Sequence, residues 1–533
     1  MSALLSASDL NDYISPGLAC IKPAGEVRLN DSRGNDEGGY EVQIGINGEA
    51  MEVSIDDGTV NNLPSANISL QDCLACSGCI TSAEEVLLSK QTHKILIEDL
   101  EKWSNEKIFT LSLSHQSRIS LADFLGLPVV KIDEFLINFF SERYGFKFVV
   151  GTELSRELSI FKINSEVIRM KHQEGSENDG KPLLSAICPG FVLYVEKTKP
   201  EILPYLLNVK SPQQITGSLL KSLISKQLNI KQSEIYHLSI MPCFDKKLEG
   251  ARADGEIIEE DSTTQEVDCV LTPKELIELL REENVNIYNY ITKSNEPPLE
   301  LYKRATPIAW PNPIESWFSN NGGSSGGYAF NYILSLQQHY QSIPTVLKEI
   351  KGKNSDVVEY QLINTATGEK IGSSAIINGF RNIQNLVRKL KPSGKVKIGS
   401  GLASRRKARM KGKSDKQEDE NADPSSCDFV EVMACPGGCI NGGGINQVSL
   451  SETTDLNSEL TTDDNGKDHM NRLVKKYEEE FQELDLFESG RMEFLSQFVS
   501  EFIDTFNVEE RLFKYKFSII EKANDILSVG NTW

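Results

Sequence analysis

The stretch Ala434-Cys435-Pro436-Gly437-Gly438-Cys439, followed by Gly442-Gly443-Gly444, constrains this chain more than any other. Two cysteines, with three residues between them, sit on a turn almost free of side chains. Glycines there let the backbone come close to something bulky and turn its N–H groups towards it. Thiolates supply bonds to iron, and N–H groups can donate to inorganic sulfide. Two cysteines cannot hold an iron–sulfur cube, so partners should lie elsewhere. The best candidates are Cys188 and Cys243, each beside a proline (Cys188-Pro189 and Pro242-Cys243). A second group, Cys73, Cys76 and Cys79 with Cys20 upstream, could hold another cluster.

The cysteines also bear on compartment. The first twenty residues carry Asp9 and Asp12 and no basic run, unlike a secretory or transit sequence. Ten cysteines in a 533-residue chain of that kind read as thiols in a reduced compartment, where such patterns mean metal or catalysis more often than disulfides. A net charge of −21 argues against a nucleic-acid surface, since phosphates want Lys and Arg. No run of about 18 apolar residues occurs, so no membrane span is expected.

The length predicts roughly two to four domains. Residues 1–65 read as loop-rich and strand-like, with Tyr40 to Ile46 alternating as a half-buried strand would. Asp31 to Gly39 and Asp56 to Asn62 are turn-forming interruptions. After the first cysteine run, Thr81 to Ile95 suits a short helix. Strands at 108–113 and 146–150 alternate with helical segments near Leu121 to Leu125 and Ile132 to Arg143, which predicts an α/β core. Apolar runs continue at Leu183 to Cys188, Ile235 to Met241 and Val267 to Leu271. The last leads into Thr272-Pro273-Lys274-Glu275, an N-cap with proline at the first helical position and a capping-box Glu. Two cysteines thus stand where strands end, which is where sites gather in open α/β sheets.

Gly322 to Gly327 reads as a flexible glycine turn, or as a plain loop. Arg405 to Lys413, followed by the acidic Asp415 to Asp423, reads as a solvated, disordered insertion, with a basic signal or anion patch as the alternative. Leu473, Tyr477, Phe481 and Leu484 fall at helical spacing, and so do Phe513, Phe517 and Ile520 in a last helix. The expected division is an N-terminal iron–sulfur region (1–105), two α/β lobes (106–285 and 286–465, the second with the charged insertion near 404–425) and a C-terminal helical segment with its tail (466–533).

The front set has C-x-x-C-x-x-C spacing. Three thiolates on a tight loop can take three corners of a cube, as in ferredoxin-type runs. The usual fourth cysteine, shortly downstream and followed by proline, is absent, which leaves Cys20. The alternative is zinc, which also accepts four thiolates. In the back set Cys188 or Cys243, taken singly, is more often just a small buried hydrophobe. Local sequence is what groups them. Ile240-Met241-Pro242-Cys243-Phe244-Asp245-Lys246-Lys247 and the segment Glu431 to Gly444 resemble the signatures of [FeFe]-hydrogenases. Ser211-Pro212-Gln213-Gln214 and Asp268-Cys269-Val270-Leu271-Thr272 lie in the matching order. The resemblance spreads over most of residues 70–530.

In that family the four back cysteines hold a cube, the last also bridges to a two-iron subcluster, and a neighbouring cysteine relays protons from a Cys-Cys-Pro sequence. Here the text is Ser185-Ala186-Ile187-Cys188-Pro189. The relay position is Ile187, which cannot exchange protons. Lys246 matches the lysine that contacts a cyanide. After the glycine triplet the text is Ile445-Asn446-Gln447, where hydrogenases usually go directly to Gln-Pro.

The chain is more similar to the eukaryotic hydrogenase-like family of cytosolic iron–sulfur protein assembly factors, also called the nuclear prelamin A recognition factor-like family. The resemblance implies a two-lobed hydrogenase-like core around a buried cluster. It implies two [4Fe-4S] clusters, one on Cys20, Cys73, Cys76 and Cys79, the other on Cys188, Cys243, Cys435 and Cys439. Cys269 and Cys427 have no role in it and are taken as structural thiols. The implied activity is non-catalytic. The protein would link a P-loop scaffold complex to a WD-repeat targeting complex that delivers clusters to apo iron–sulfur proteins. Its place would be the cytoplasm, with the nucleus as a second compartment. The front cluster is expected to be the labile one. Trp533, with its free carboxylate, is either a recognition handle for the targeting complex or a residue packed on its own helical segment. The alternatives are an active [FeFe]-hydrogenase and a zinc-stabilised structural module.

Overall fold

The computed structural model describes residues 91–172, 180–259, 261–291, 297–391, 421–446, 468–506, 508 and 512–519. It also gives the backbone of 40–44, 50–54, 60–62, 449–450, 460–461 and 466–467. The chain forms two units, Met1–Glu85 and Val86–Trp533. The first contains an antiparallel meander of β1 (Tyr40–Ile44), β2 (Ala50–Ser54) and β3 (Val60–Asn62). The alternating run at Tyr40 is thus a strand, while Cys20, Cys73, Cys76 and Cys79 lie outside the described residues.

In the second unit the strands that position the site are β4 (Ile108–Leu113), β5 (Phe148–Gly151), β6 (Leu183–Leu184), β7 (Ile235–Ile240), β8 (Cys269–Leu271), β9 (Thr345–Lys351), β10 (Val357–Asn364), β11 (Lys370–Asn378) and β12 (Phe429–Met433). One sheet has the order β8-β7-β4-β5, with every pair parallel. Parallel strands are covered on both faces, and β7 is buried at all six positions, as its apolar run requires. The other sheet has the order β9-β10-β11-β12-β6. Its first three strands form an antiparallel meander, and β12 pairs in parallel with both β11 and β6. The short strand β6, which precedes β7 in the chain, therefore belongs to the sheet built mostly from later residues.

Two hydrophobic cores form. Leu111, Leu113, Phe135, Phe139, Leu238 and Leu271 pack in the first. Phe191, Ile215, Tyr332, Ala375, Phe429 and Val432 pack in the second, which also takes in Phe148, Val150 and Ile235 from strands of the first sheet. This is the α/β core that the strand and helix alternation implied, in the two-lobed form that the family resemblance implied. The helix Pro273–Glu282 starts as its sequence dictates. Thr272 Oγ1 accepts the Glu275 N–H (3.4 Å), and Glu275 Oε2 accepts the Thr272 N–H (2.9 Å).

Three sequence expectations change. The helix that contains Leu473 and Tyr477 spans Gly466–Glu480, and Leu484 lies beyond it in a short strand paired with Ser319–Asn320. Phe513 and Phe517 do not share a helix, because residues 514–519 have no regular secondary structure and hydrogen-bond to other segments. Asp423, the end of the acidic run, is ordered: its carboxylate takes the Ser425 N–H and pairs with Lys389. The basic run Arg405 to Lys413 and most of Thr81 to Ile95 lie outside the described residues; a helix spans His93–Trp103.

Candidate metal centre

Three segments leave the C-terminal ends of parallel strands and meet. From β6 the chain reaches Cys188, the residue before the helix Pro189–Thr198, whose first position is the proline. From β7 it reaches Cys243, just ahead of the short helix Asp245–Gly250. From β12 it runs into Cys435 and then Cys439, which opens a single helical turn over Cys439–Asn441. Crevices beyond strand C-termini are where α/β sheets hold ligands, and here both sheets contribute to one.

Cys188 is buried; Cys243, Cys435 and Cys439 are partly exposed. All four thiols are pushed above their ordinary range, first by burial and then by negative charge nearby. Cys188 and Cys435 repel an ionised Cys243; Cys439 and Cys188 repel Cys435; Cys188 and Cys243 repel Cys439. The four are thus close enough to sense one another's charge. Yet among the described residues no three Cys, His, Asp or Glu side chains converge tightly enough to hold one metal ion.

What opposes this charge is sparse. The Ala434 N–H donates to Cys188 Sγ (3.3 Å), helped by the Phe191 N–H, and the Gly443 N–H donates to Cys435. Lys246 is the cation acting on Cys188, Cys243 and Cys439. Its ammonium donates to the Ile187 carbonyl (3.1 Å) and to Glu249 (2.7 Å). The Ile187 side chain is buried in the second core. A thiol set of this kind ionises readily only against a cationic group, which is what an iron–sulfur core presents to its ligands. In that respect the residues fit such a group.

The glycines do something the sequence did not reveal. Gly437 (φ 72°) and Gly438 (φ 84°) occupy conformations that favour glycine. A Cβ on Gly437 would strike Met470, one on Gly438 would strike Ser325, one on Gly442 the Pro242 carbonyl, and one on Gly444 the Thr272 side chain. The glycines clear room for other parts of the protein as much as for a bulky occupant. Several N–H groups of the loop are likewise used internally. Gly437 donates to Asp356 (2.7 Å), Gly444 to the Pro242 carbonyl (2.9 Å) and Ile440 to Ser325 Oγ (3.4 Å).

The glycine turn at 322–327 is therefore no free loop. Gln116 holds the Ser324 carbonyl (2.7 Å), and Glu431 accepts N–H groups at the start of the helix Tyr328–His339. Asp356 stands far from the cysteines and carried no signal in the sequence, while Glu431 and Ser325 lay inside stretches already singled out but with no role read for their side chains. Cys269 and Cys427 lie outside this centre. Both are buried, and burial raises their thiols, Cys269 to about 12. Trp533 and Gln447 lie outside the described residues.

Comparison with known proteins gives this arrangement its class. A family model described as iron only hydrogenase large subunit, C-terminal domain, matches residues 107–443, so the second unit is hydrogenase-like. Solved structures of the same fold include an [FeFe]-hydrogenase from a study of oxygen inactivation and loss of its 2Fe subcluster. It has a TM-score of 0.53 and 19% identity, covering 80% of this chain and 99% of that one. A variant of HydA1 from Chlamydomonas reinhardtii has a TM-score of 0.52 and 19% identity, covering 80% and 98%. Identity that low shows the fold alone.

Full-length relatives are more specific. Proteins named cytosolic Fe-S cluster assembly factor NAR1 from Scheffersomyces stipitis, Debaryomyces hansenii and Saccharomyces cerevisiae are 45%, 44% and 40% identical, each matched over 100% of both chains. The chain belongs to this hydrogenase-like family of cytosolic iron–sulfur cluster assembly factors.

Proposed function

We propose that the protein is a non-catalytic iron–sulfur carrier of cytosolic cluster assembly. Cys188, Cys243, Cys435 and Cys439 would hold one [4Fe-4S] cluster, and Cys20, Cys73, Cys76 and Cys79 a second. The observation that carries this reading is the meeting of four thiols at strand ends of both sheets, close enough to raise one another's pKa. When bound, the clusters would supply electron storage or exchangeable iron and sulfide.

Ile187 supports the absence of hydrogen chemistry. Its side chain is packed in apolar core, and only its carbonyl faces the Lys246 ammonium. Neither can act as a thiol proton relay. The implied partners are a P-loop scaffold complex, a WD-repeat targeting complex met through Trp533, and apo iron–sulfur proteins, in the cytoplasm. No helix among the described residues is long and apolar enough to cross a membrane.

The deciding experiment is iron, acid-labile sulfide and zinc per chain, on full-length protein reconstituted without oxygen. About eight irons and eight sulfides are expected, two cubanes' worth. Zinc without sulfide would overturn the reading. Infrared bands of iron-bound CO and CN⁻ after hydrogenase maturation would overturn its non-catalytic part.

A further inference from the structure

The last described segment, residues 512–519, is tied to the site-bearing part of the chain largely through its backbone. The Lys210 N–H donates to the Phe513 carbonyl (2.7 Å). The N–H groups of Tyr515, Lys516 and Ser518 donate to Asn208 (2.5 Å), Asp254 (2.7 Å) and Glu196 (3.0 Å). Arg252 donates to the Lys516 carbonyl (3.1 Å). From this strap Tyr515 turns inward and is buried.

The Tyr515 hydroxyl donates to Glu249 Oε1 and accepts the Ser211 N–H (3.1 Å). The other oxygen of Glu249 takes Ser211 Oγ (2.9 Å) and Lys246 Nζ (2.7 Å). Lys246 in turn holds the carbonyl of Ile187, the residue before Cys188 (3.1 Å). Glu249 is 2% exposed and Lys246 8%, so water cannot substitute for a lost partner. One side chain of the C-terminal segment thus completes the shell of the carboxylate that holds Lys246, the cation acting on three of the four thiols.

We propose that Tyr515 is a positioning residue for the four-thiol centre. By satisfying Glu249 it keeps the Lys246 ammonium on the Ile187 carbonyl, so the C-terminal segment sets the charge felt at the centre. This rests on the reading of the four cysteines as cluster ligands. Without the hydroxyl, Glu249 carries more uncompensated charge and draws Lys246 towards itself. Whatever lifts residues 512–519 also takes the hydroxyl away, so a partner that engages the tail would alter the centre without touching it.

Two measurements test this, one of which needs no cluster. Coupling is reciprocal, so Lys246→Met in the metal-free full-length chain should speed amide exchange at Tyr515, Lys516 and Ser518 several-fold, leaving β4 and β7 protected. Unchanged exchange at those amides overturns the coupling. In the reconstituted full-length chain, Tyr515→Phe should keep wild-type iron and sulfide and shift a cluster's reduction potential to more negative values. The same substitution added to Lys246→Met should produce no further shift. An unchanged potential, or a shift that persists without Lys246, overturns the proposal. A chain that takes up no iron or sulfide would sink the ligand reading, and the exchange measurement would still decide the coupling.

Discussion

The glycines of the cysteine loop are not interchangeable. A Cβ on Gly442 meets a backbone carbonyl, that of Pro242, which cannot swing aside, whereas one on Gly443 comes no closer than 3.8 Å to the Phe244 ring. Gly442→Ala should therefore cost about 1–3 kcal/mol of stability and loosen retention of iron. Gly443→Ala should be nearly silent in thermal melts and iron content. Equal losses in both would mean that the glycines serve the occupant of the centre and not the protein. At this scale Cys435 and Cys439 declared themselves by spacing and surroundings. Cys188 and Cys243 were candidates only from a neighbouring proline and a strand end, and the family resemblance grouped them, because two lone cysteines carry no period. Tyr515 was hidden from any reading of the sequence, since its partner Glu249 is 266 positions away.

Between elements, β4 and β7 enclose an unusual polar ladder. His237 on β7 lies between Thr110 (2.9 Å) and Ser112 (3.1 Å) of β4, fully buried. Burial, and then the positive charge of Lys221, lowers its pKa to about 3. In the unfolded chain it would titrate near 6.5, so between those values the unfolded state binds more protons. Stability should be full above about pH 6.5 and fall as the pH drops towards 3, by up to a few kcal/mol. His237→Asn should flatten that slope in urea denaturation of the metal-free chain; an unchanged slope would place the acid sensitivity elsewhere. The strands themselves were legible as apolar runs, and the helix at Pro273 as a complete capping box. The C-terminal segment was misread because apolar spacing registers buried positions but not backbone partners. Glu483–Leu484 and residues 514–519 find theirs on Ser319–Asn320 and on polar side chains between Glu196 and Asp254.

For the molecule as a whole, the division between Met1–Glu85 and Val86–Trp533 sets an asymmetry. Metal bound across distant segments adds its binding energy to folding. In the reconstituted chain, Cys439→Ala should lower the main melting transition and remove about half of the iron, one cubane of two. Cys73→Ala should lose a similar share and leave that transition in place. If both melt alike, the two cysteine sets do not differ in structural role. The same topology has a consequence for how the protein is made. The thiol pair after β12 lies far along the chain from Cys188 and Cys243, and among the described residues β6, apart from a single bridge to Leu206, pairs only with β12. A nascent chain emerging from the ribosome therefore exposes half of the centre long before the other half is synthesised. On the proposed ligand set, a cluster bound by all four cysteines would therefore be completed only once the segment after β12 has been made.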